Sequence, residues 1–272
     1  MISDRVRASA KGYLEAFLQL LVEEQKKADN TRGPHDLRTP RVSAPKGDYR
    51  PFHEAILPEG ILRVTEFERS FSTRLGTTFE EVAKLIGQEK WASATRAFKV
   101  EGEVPARAVR TIERICNRIT SGGMRKPWHT LVQEVLRTAV GSGETRKRTA
   151  DLHLADSEGN EVFFEMKSPK PNKGQCVETA DRLLQIHAMR RAGPPTLRTF
   201  FAMAYNPYGE EKSTYKHSLA KQYLDISRQV LLGREFWDLV GGPGTYEEVL
   251  AIYREVGREK GPDMIDQLAL DY

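Results

Sequence analysis

Apolar residues recur along the first thirty positions at helical intervals. Val6, Tyr13, Phe17, Leu20 and Leu21 fall on one side, so residues 3–28 predict an amphipathic helix. Periodicity then stops. Residues 29–51 hold Gly33, Pro34, Pro40, Pro45, Gly47 and Pro51 among five basic side chains, the pattern of a long basic arm. Helical spacing returns over 61–73 and 78–90, with Thr78 and Glu81 set as a capping box for the second stretch. Pro105 opens a helix whose buried face is Val109, Ile112, Ile115, Cys116 and Ile119, stopped by Gly122-Gly123. Pro127 opens another, striped by Leu131, Val132, Val135, Leu136 and Ala139.

Past Gly143 the period changes from helical to alternating. Thr149–Ala155 and Glu161–Lys167 read as two strands joined by the turn-rich Asp156-Ser157-Glu158-Gly159-Asn160, a hairpin. A helix over 176–192 and a strand over Leu197–Ala204 follow, and the rest is mainly helical, broken at 241–244 and near Gly261-Pro262. This order predicts an α/β fold: a mixed central sheet flanked by helices within a mainly helical shell. The chain divides into an N-terminal helical region (1–126, with its basic arm), a core (127–204) and a C-terminal helical region (205–272), packed as one unit.

Composition narrows the class. In 272 residues no apolar run approaches the length of a membrane span, and no signal-peptide pattern opens the chain, so a soluble cytoplasmic protein is expected. Cys116 and Cys176 have no metal-ligand spacing and read as free thiols. A net charge of +4 is only a mild pointer to nucleic acid. The histidines show no metal-binding spacing, and no Ser/His/Asp set or phosphate-binding glycine loop suggests another enzyme class.

The chemistry concentrates in the hairpin. Alternation along Val162–Lys167 puts Phe163, Glu165 and Lys167 on one face. Asp151 lies on the preceding strand, where the hairpin can bring it beside Glu165. Two close carboxylates suit Mg²⁺, which binds one or two of them and keeps waters for phosphate oxygens. A metal so held polarises a phosphoryl oxygen and activates water, and Lys167 can orient or deprotonate that water or stabilise the charge that develops. An E-x-K triplet alone is weak: Glu24/Lys26 and Glu210/Lys212 also occur, but on a helix and in a loop. Only the third ends an apolar strand and follows an aspartate.

Thr149-Ala150-Asp151, thirteen residues, then Glu165-Met166-Lys167 resembles the PD-(D/E)XK nuclease signature, with Ala150 in place of the usual proline. The group's core of helix, three strands, helix and strand is met over Pro127–Ala204 except for one strand. The stretches Glu165–Gln175, Phe67–Gly76 and Gly233–Trp237 resemble type II restriction endonucleases of the TdeIII kind. That resemblance implies hydrolysis of duplex DNA to 5′-phosphate ends. It also implies a short, GC-rich palindromic site interrupted at its centre, of the GGNCC type, and a homodimer matched to the palindrome. A repair or recombination nuclease of the same fold, or a DNA-binding protein that does not cleave, are the competing readings. Members of the superfamily often add an acid from the first core helix, for which Glu134 is the candidate, with Glu80 and Glu81 as alternatives. Arg146, Lys147 and Arg148, just before the Asp151 strand, and Lys170, Lys173 and Gln175, just after Lys167, are candidate phosphate contacts. Tyr205-Asn206-Pro207-Tyr208, leaving the last core strand, could meet bases.

Overall fold

The computed structural model describes residues 2–32, 56–57 and 59–269; most of the predicted basic arm lies outside them. The described elements are α1 (Asp4–Arg32), α2 (Glu59–Lys90), β1 (Ser93–Val104), α3 (Ala106–Gly122), α4 (Trp128–Thr138), β2 (Glu144–Ala155) and β3 (Glu161–Met166). They continue with α5 (Lys173–Met189), β4 (Leu197–Met203), α6 (Ser218–Tyr223), β5 (Val230–Leu232), α7 (Arg234–Gly241) and α8 (Thr245–Ala269). They fall into two compact units. One comprises Met1–Val6 and Phe79–Glu248, the other Arg7–Thr78 and Val249–Tyr272.

The first unit is built on one five-stranded sheet in the order β1-β2-β3-β4-β5. β1, β2 and β3 pair antiparallel, while β4 and β5 add in parallel, making the sheet mixed as expected. One layer of core, carried by α3, α4 and α5, includes Ile112, Ile115, Leu131, Val135, Leu183 and Leu184 against Phe163 and Phe201. On the opposite face Phe164 meets Phe236 of α7 edge-on at 5.5 Å, and Gly87 of α2 closes on Ala94 and Leu154 so tightly that a Cβ would reach both. Gly123 ends α3 at φ 76°, a backbone conformation that favours glycine, as the paired glycines predicted.

Four elements differ from the sequence expectation. β1 was unassigned; its residues alternate in exposure with few large apolar side chains, and it supplies the strand the core lacked. β5 was missed because it is three residues long. The two helices over 61–73 and 78–90 are one continuous α2. Thr78 sits inside it, fully buried, its hydroxyl donating to Leu75 O at 2.7 Å, so it caps nothing. β2 also begins earlier than expected and takes Arg146, Lys147 and Arg148 into the sheet.

The β1–β2 ladder carries a local defect beside the site. Strand side chains two apart share a face. Yet Ala94 faces Gly87 of α2, while Phe98 packs on the α5 side, stacked on His153 at 4.0 Å. Likewise Leu154 lies on the α2 side and Ala150 on the α5 side. The inversion falls at Ala97, held at φ 47°, a left-handed conformation costly for a residue with a Cβ. The ladder pairs residues on both sides of Ala97 in unchanged register and skips the Ala97–Asp151 pair.

In the second unit Phe17 and Phe71 meet at 6.1 Å and Phe67 stacks beside Phe71 at 6.5 Å. Tyr253 and Thr78 share a hydrogen bond of 2.8 Å. Glu255 accepts from both Arg7 and Lys11.

Candidate active site

Leu152 pairs with Phe164 across β2 and β3, so one further step of the register puts Asp151 opposite Glu165. Asp151 Oδ2 accepts the Met166 N–H at 2.7 Å, which pins the aspartate to the neighbouring strand. Lys167 Nζ lies 2.5 Å from Glu165 Oε1 and 3.7 Å from Asp151 Oδ2. The three residues singled out from the hairpin therefore converge.

Glu165 is 1% exposed, whereas Asp151 and Lys167 are half-buried. Burial, helped by the Asp151 charge, raises the Glu165 carboxyl above its ordinary range. Burial works against the charge on Lys167, but Glu165 and Asp151 outweigh it and keep the amine protonated. As a resting state, this suits Lys167 to charge stabilisation more than to accepting a proton.

A fourth member was not anticipated. Arg182 of α5 donates from Nη1 to Glu165 Oε1 at 2.7 Å and from Nη2 to Glu178 at 2.9 Å. The sequence did carry a trace of it, since Glu178 and Arg182 are spaced i,i+4 on a predicted helix. Glu165 Oε2, by contrast, is buried with no hydrogen-bond partner among the described residues.

The helix glutamates separate. Glu80 accepts from Arg96 at 3.1 and 3.2 Å, and its carboxyl is raised by burial and then by the charge of Asp151. It also feels Lys167, so it borders the site. Glu81 pairs with Arg96 and Lys84. Glu134, the favoured candidate, is instead held by Arg118 at 3.0 Å and by Arg114 and Lys126 at 3.2 Å. Those cations, and not Asp151 or Glu165, set its charge environment, and the structure does not bring it to the pair. The amphipathic stripe correctly put Leu131 and Val135 inside, but it could not tell which helix crosses beside Asp151.

Among the phosphate-contact candidates, Gln175 has another task. Its side chain and N–H complete a capping box with Asn172, both bonds 2.9 Å, so it is committed to the start of α5. Lys170 and Lys173 stay exposed, their ammonium groups over the rings of Tyr208 and Tyr223. Lys147 pairs with Glu101 at 2.9 Å, Arg148 donates to Lys147 O, and Arg146 Nε is buried without a partner among the described residues. Lys147, Arg148 and Arg182 line one side-open cleft of about 620 Å³ with Lys99, Glu101 and Glu178. Asn206 is spent on its own turn, bonding Glu211 O, Thr214 and the Tyr208 N–H.

Among the described residues no group of three or more His, Cys, Asp or Glu is close enough to hold a metal ion. The donors on offer are two carboxylates, and hard oxygen ligands with an unspent, buried Glu165 Oε2 fit a hard divalent cation.

A mixed sheet with an aspartate on one strand and Glu-x-Lys on the next is the arrangement of the PD-(D/E)XK nucleases. The family model described as "Type II restriction endonuclease, HinfI" matches residues 13–257, and the chain belongs to that family. Among curated proteins, the type II restriction enzyme HgiCII of Herpetosiphon aurantiacus is 38% identical over 98% of this chain and 99% of its own length. HgiBI and HgiEI of the same organism are each 37% identical, covering 98% of both chains. No solved structure matches. No helix among the described residues is long and apolar enough to cross a membrane.

Proposed function

We propose that this chain cleaves both strands of duplex DNA at a short palindromic, GC-rich, centrally interrupted site of the GGNCC type, using Mg²⁺, and that it acts as a homodimer. The observation that carries the chemistry is the convergence of Asp151, Glu165 and Lys167 on adjoining strands. The site preference and dimer follow from the family resemblance and from the symmetry of a palindrome.

Asp151 and Glu165 would hold the metal, with Glu80 adding negative charge from α2. The metal supplies a polarised phosphoryl oxygen and a water of lowered pKa. Asp151, pinned by the Met166 N–H, keeps its carboxylate in a fixed orientation. Lys167, protonated between the two acids, would face the negative charge that develops on the pentacoordinate phosphoryl group and neutralise it. Lys147 and Arg148 stand on the strand that leads into the site, with Lys170 and Lys173 on the segment that leaves it. All four can bind backbone phosphates and fix the register of the duplex.

The test is digestion of a sequenced circular plasmid with Mg²⁺ and with EDTA. Discrete linear fragments that require Mg²⁺ are expected, and their ends give the site. Fragments that persist in EDTA, or a smear without defined ends, would contradict the proposal.

A further inference from the structure

Arg182 has no counterpart in the signature that identifies the site, yet it makes one of the closest contacts within it. Its Nη1 and the Lys167 ammonium share a single oxygen, Glu165 Oε1, at 2.7 and 2.5 Å. The other oxygen, Oε2, is buried without a partner among the described residues. A buried carboxylate needs its charge matched, and here two cations share one of its oxygens while the other has none. The outer edge of the same guanidinium is bound to Glu178, whose side chain is largely exposed, so that bond is weak and easily exchanged. Between these two acids the guanidinium lines the cleft shared with Lys99, Lys147 and Arg148.

We propose that Arg182 is a positioning residue that serves as the counterion of Glu165 in DNA-free protein and is drawn to a backbone phosphate when duplex DNA enters the cleft, freeing Glu165 for a divalent metal. The inference rests on the reading of Glu165 as a metal ligand. Guanidinium can bind phosphate through two parallel hydrogen bonds, whereas it reaches Glu165 through Nη1 alone and spends Nη2 on the largely exposed Glu178. Its departure removes a positive charge a few ångströms from the carboxylate that must accept a dication. DNA and metal then favour each other's binding, as linkage requires when both compete with the same resting contact. An Arg182 that merely ties α5 to β3 predicts the reverse: its loss would disorder Glu165 and weaken metal binding.

The experiment titrates Mn²⁺ alone into DNA-free protein by calorimetry, for the wild type, Arg182→Gln, Arg182→Lys and Glu165→Gln. Arg182→Gln should bind Mn²⁺ about tenfold more tightly than the wild type, whereas Arg182→Lys, which keeps the charge, should stay within about twofold. The metal-free affinity of Arg182→Gln for a mixed-sequence 30-base-pair duplex should lose about one unit of salt slope. Equal or weaker Mn²⁺ binding by folded Arg182→Gln overturns the proposal. Should that variant fail to fold, Arg182→Met, which retains the apolar stem, carries the same expectation. Glu165→Gln separates the two levels of the argument. Wild-type Mn²⁺ binding by that variant would remove the metal-ligand reading itself, whereas its loss together with an unchanged Arg182→Gln would remove only the role given to Arg182.

Discussion

Burial, and after it the charge of Asp151, raises the carboxyls of both Glu165 on the neighbouring strand and Glu80 on α2. The inverted alternation at Ala97 lies directly across from Asp151, where one carboxylate stands within reach of acids on both β3 and α2. Glu134 has its own cations and no part in this. Glu80→Gln should therefore slow cleavage on the order of tenfold or more, as loss of a group supporting a metal site does. Glu134→Gln should leave cleavage within about twofold and cost only about 1 kcal/mol of stability, because its partners are exposed. Single-turnover cleavage of both variants at saturating Mg²⁺ checks this, and a slow Glu134→Gln beside a normal Glu80→Gln would reverse the assignment. Glu165 and Lys167 were legible because strand alternation puts them on one face, and Asp151 because the short hairpin sets its strand in register beside Glu165. Glu80, Gln175 and Arg182 were not resolved, because helix periodicity says which face is buried and not what that face is buried against.

The segment that follows the catalytic strand is fixed by an element remote in sequence. Tyr215 donates its hydroxyl to Pro169 O at 2.7 Å in a buried position, and His217 bonds Pro171 O at 2.9 Å. Tyr208 packs edge-on against Tyr215 and lies under Lys170. These contacts hold residues 168–172, the direct continuation of Lys167. Tyr215→Phe leaves the Pro169 carbonyl buried and unpaired, at a cost of about 1–3 kcal/mol. It should lower the cleavage rate more than it weakens DNA binding, because it loosens the placement of Lys167 and not the charge. Urea unfolding and a comparison of cleavage rate with affinity in Ca²⁺ test both halves; an unchanged rate would show that the clamp is purely structural. Such long-range pinning explains why β1 and this clamp escaped the sequence. A strand with small or polar residues at most positions, like Ser93–Val104, carries little apolar signal, and it becomes a strand because β2 offers a partner over most of its length.

At the scale of the molecule, the fold class was readable from the switch between helical and alternating periods. The division into compact units was not, because its boundaries fall inside the continuous helices α1, α2 and α8 and not in the loops that join elements. Stability should also depend on pH through a group far from the chemistry. His187 of α5 is buried against Thr199 of β4, their side chains 3.0 Å apart, and burial lowers its pKa from 6.5 to about 4. The unfolded chain thus binds the proton more readily, so stability is full above about pH 6.5 and is lost as pH falls toward 4. The loss attributable to this residue is at most about 3 kcal/mol. Urea unfolding between pH 7 and 4 should show a decline that His187→Gln flattens, and an equal decline in the variant would assign it to other groups.

The most direct test of the catalytic assignment separates binding from chemistry in one protein. Asp151→Ala should bind the plasmid-derived cognate duplex in Ca²⁺ with an affinity within a fewfold of the wild type, yet give no cleavage in Mg²⁺ over times in which the wild type cuts to completion. Cleavage by Asp151→Ala at the wild-type rate would place the active site elsewhere in the chain.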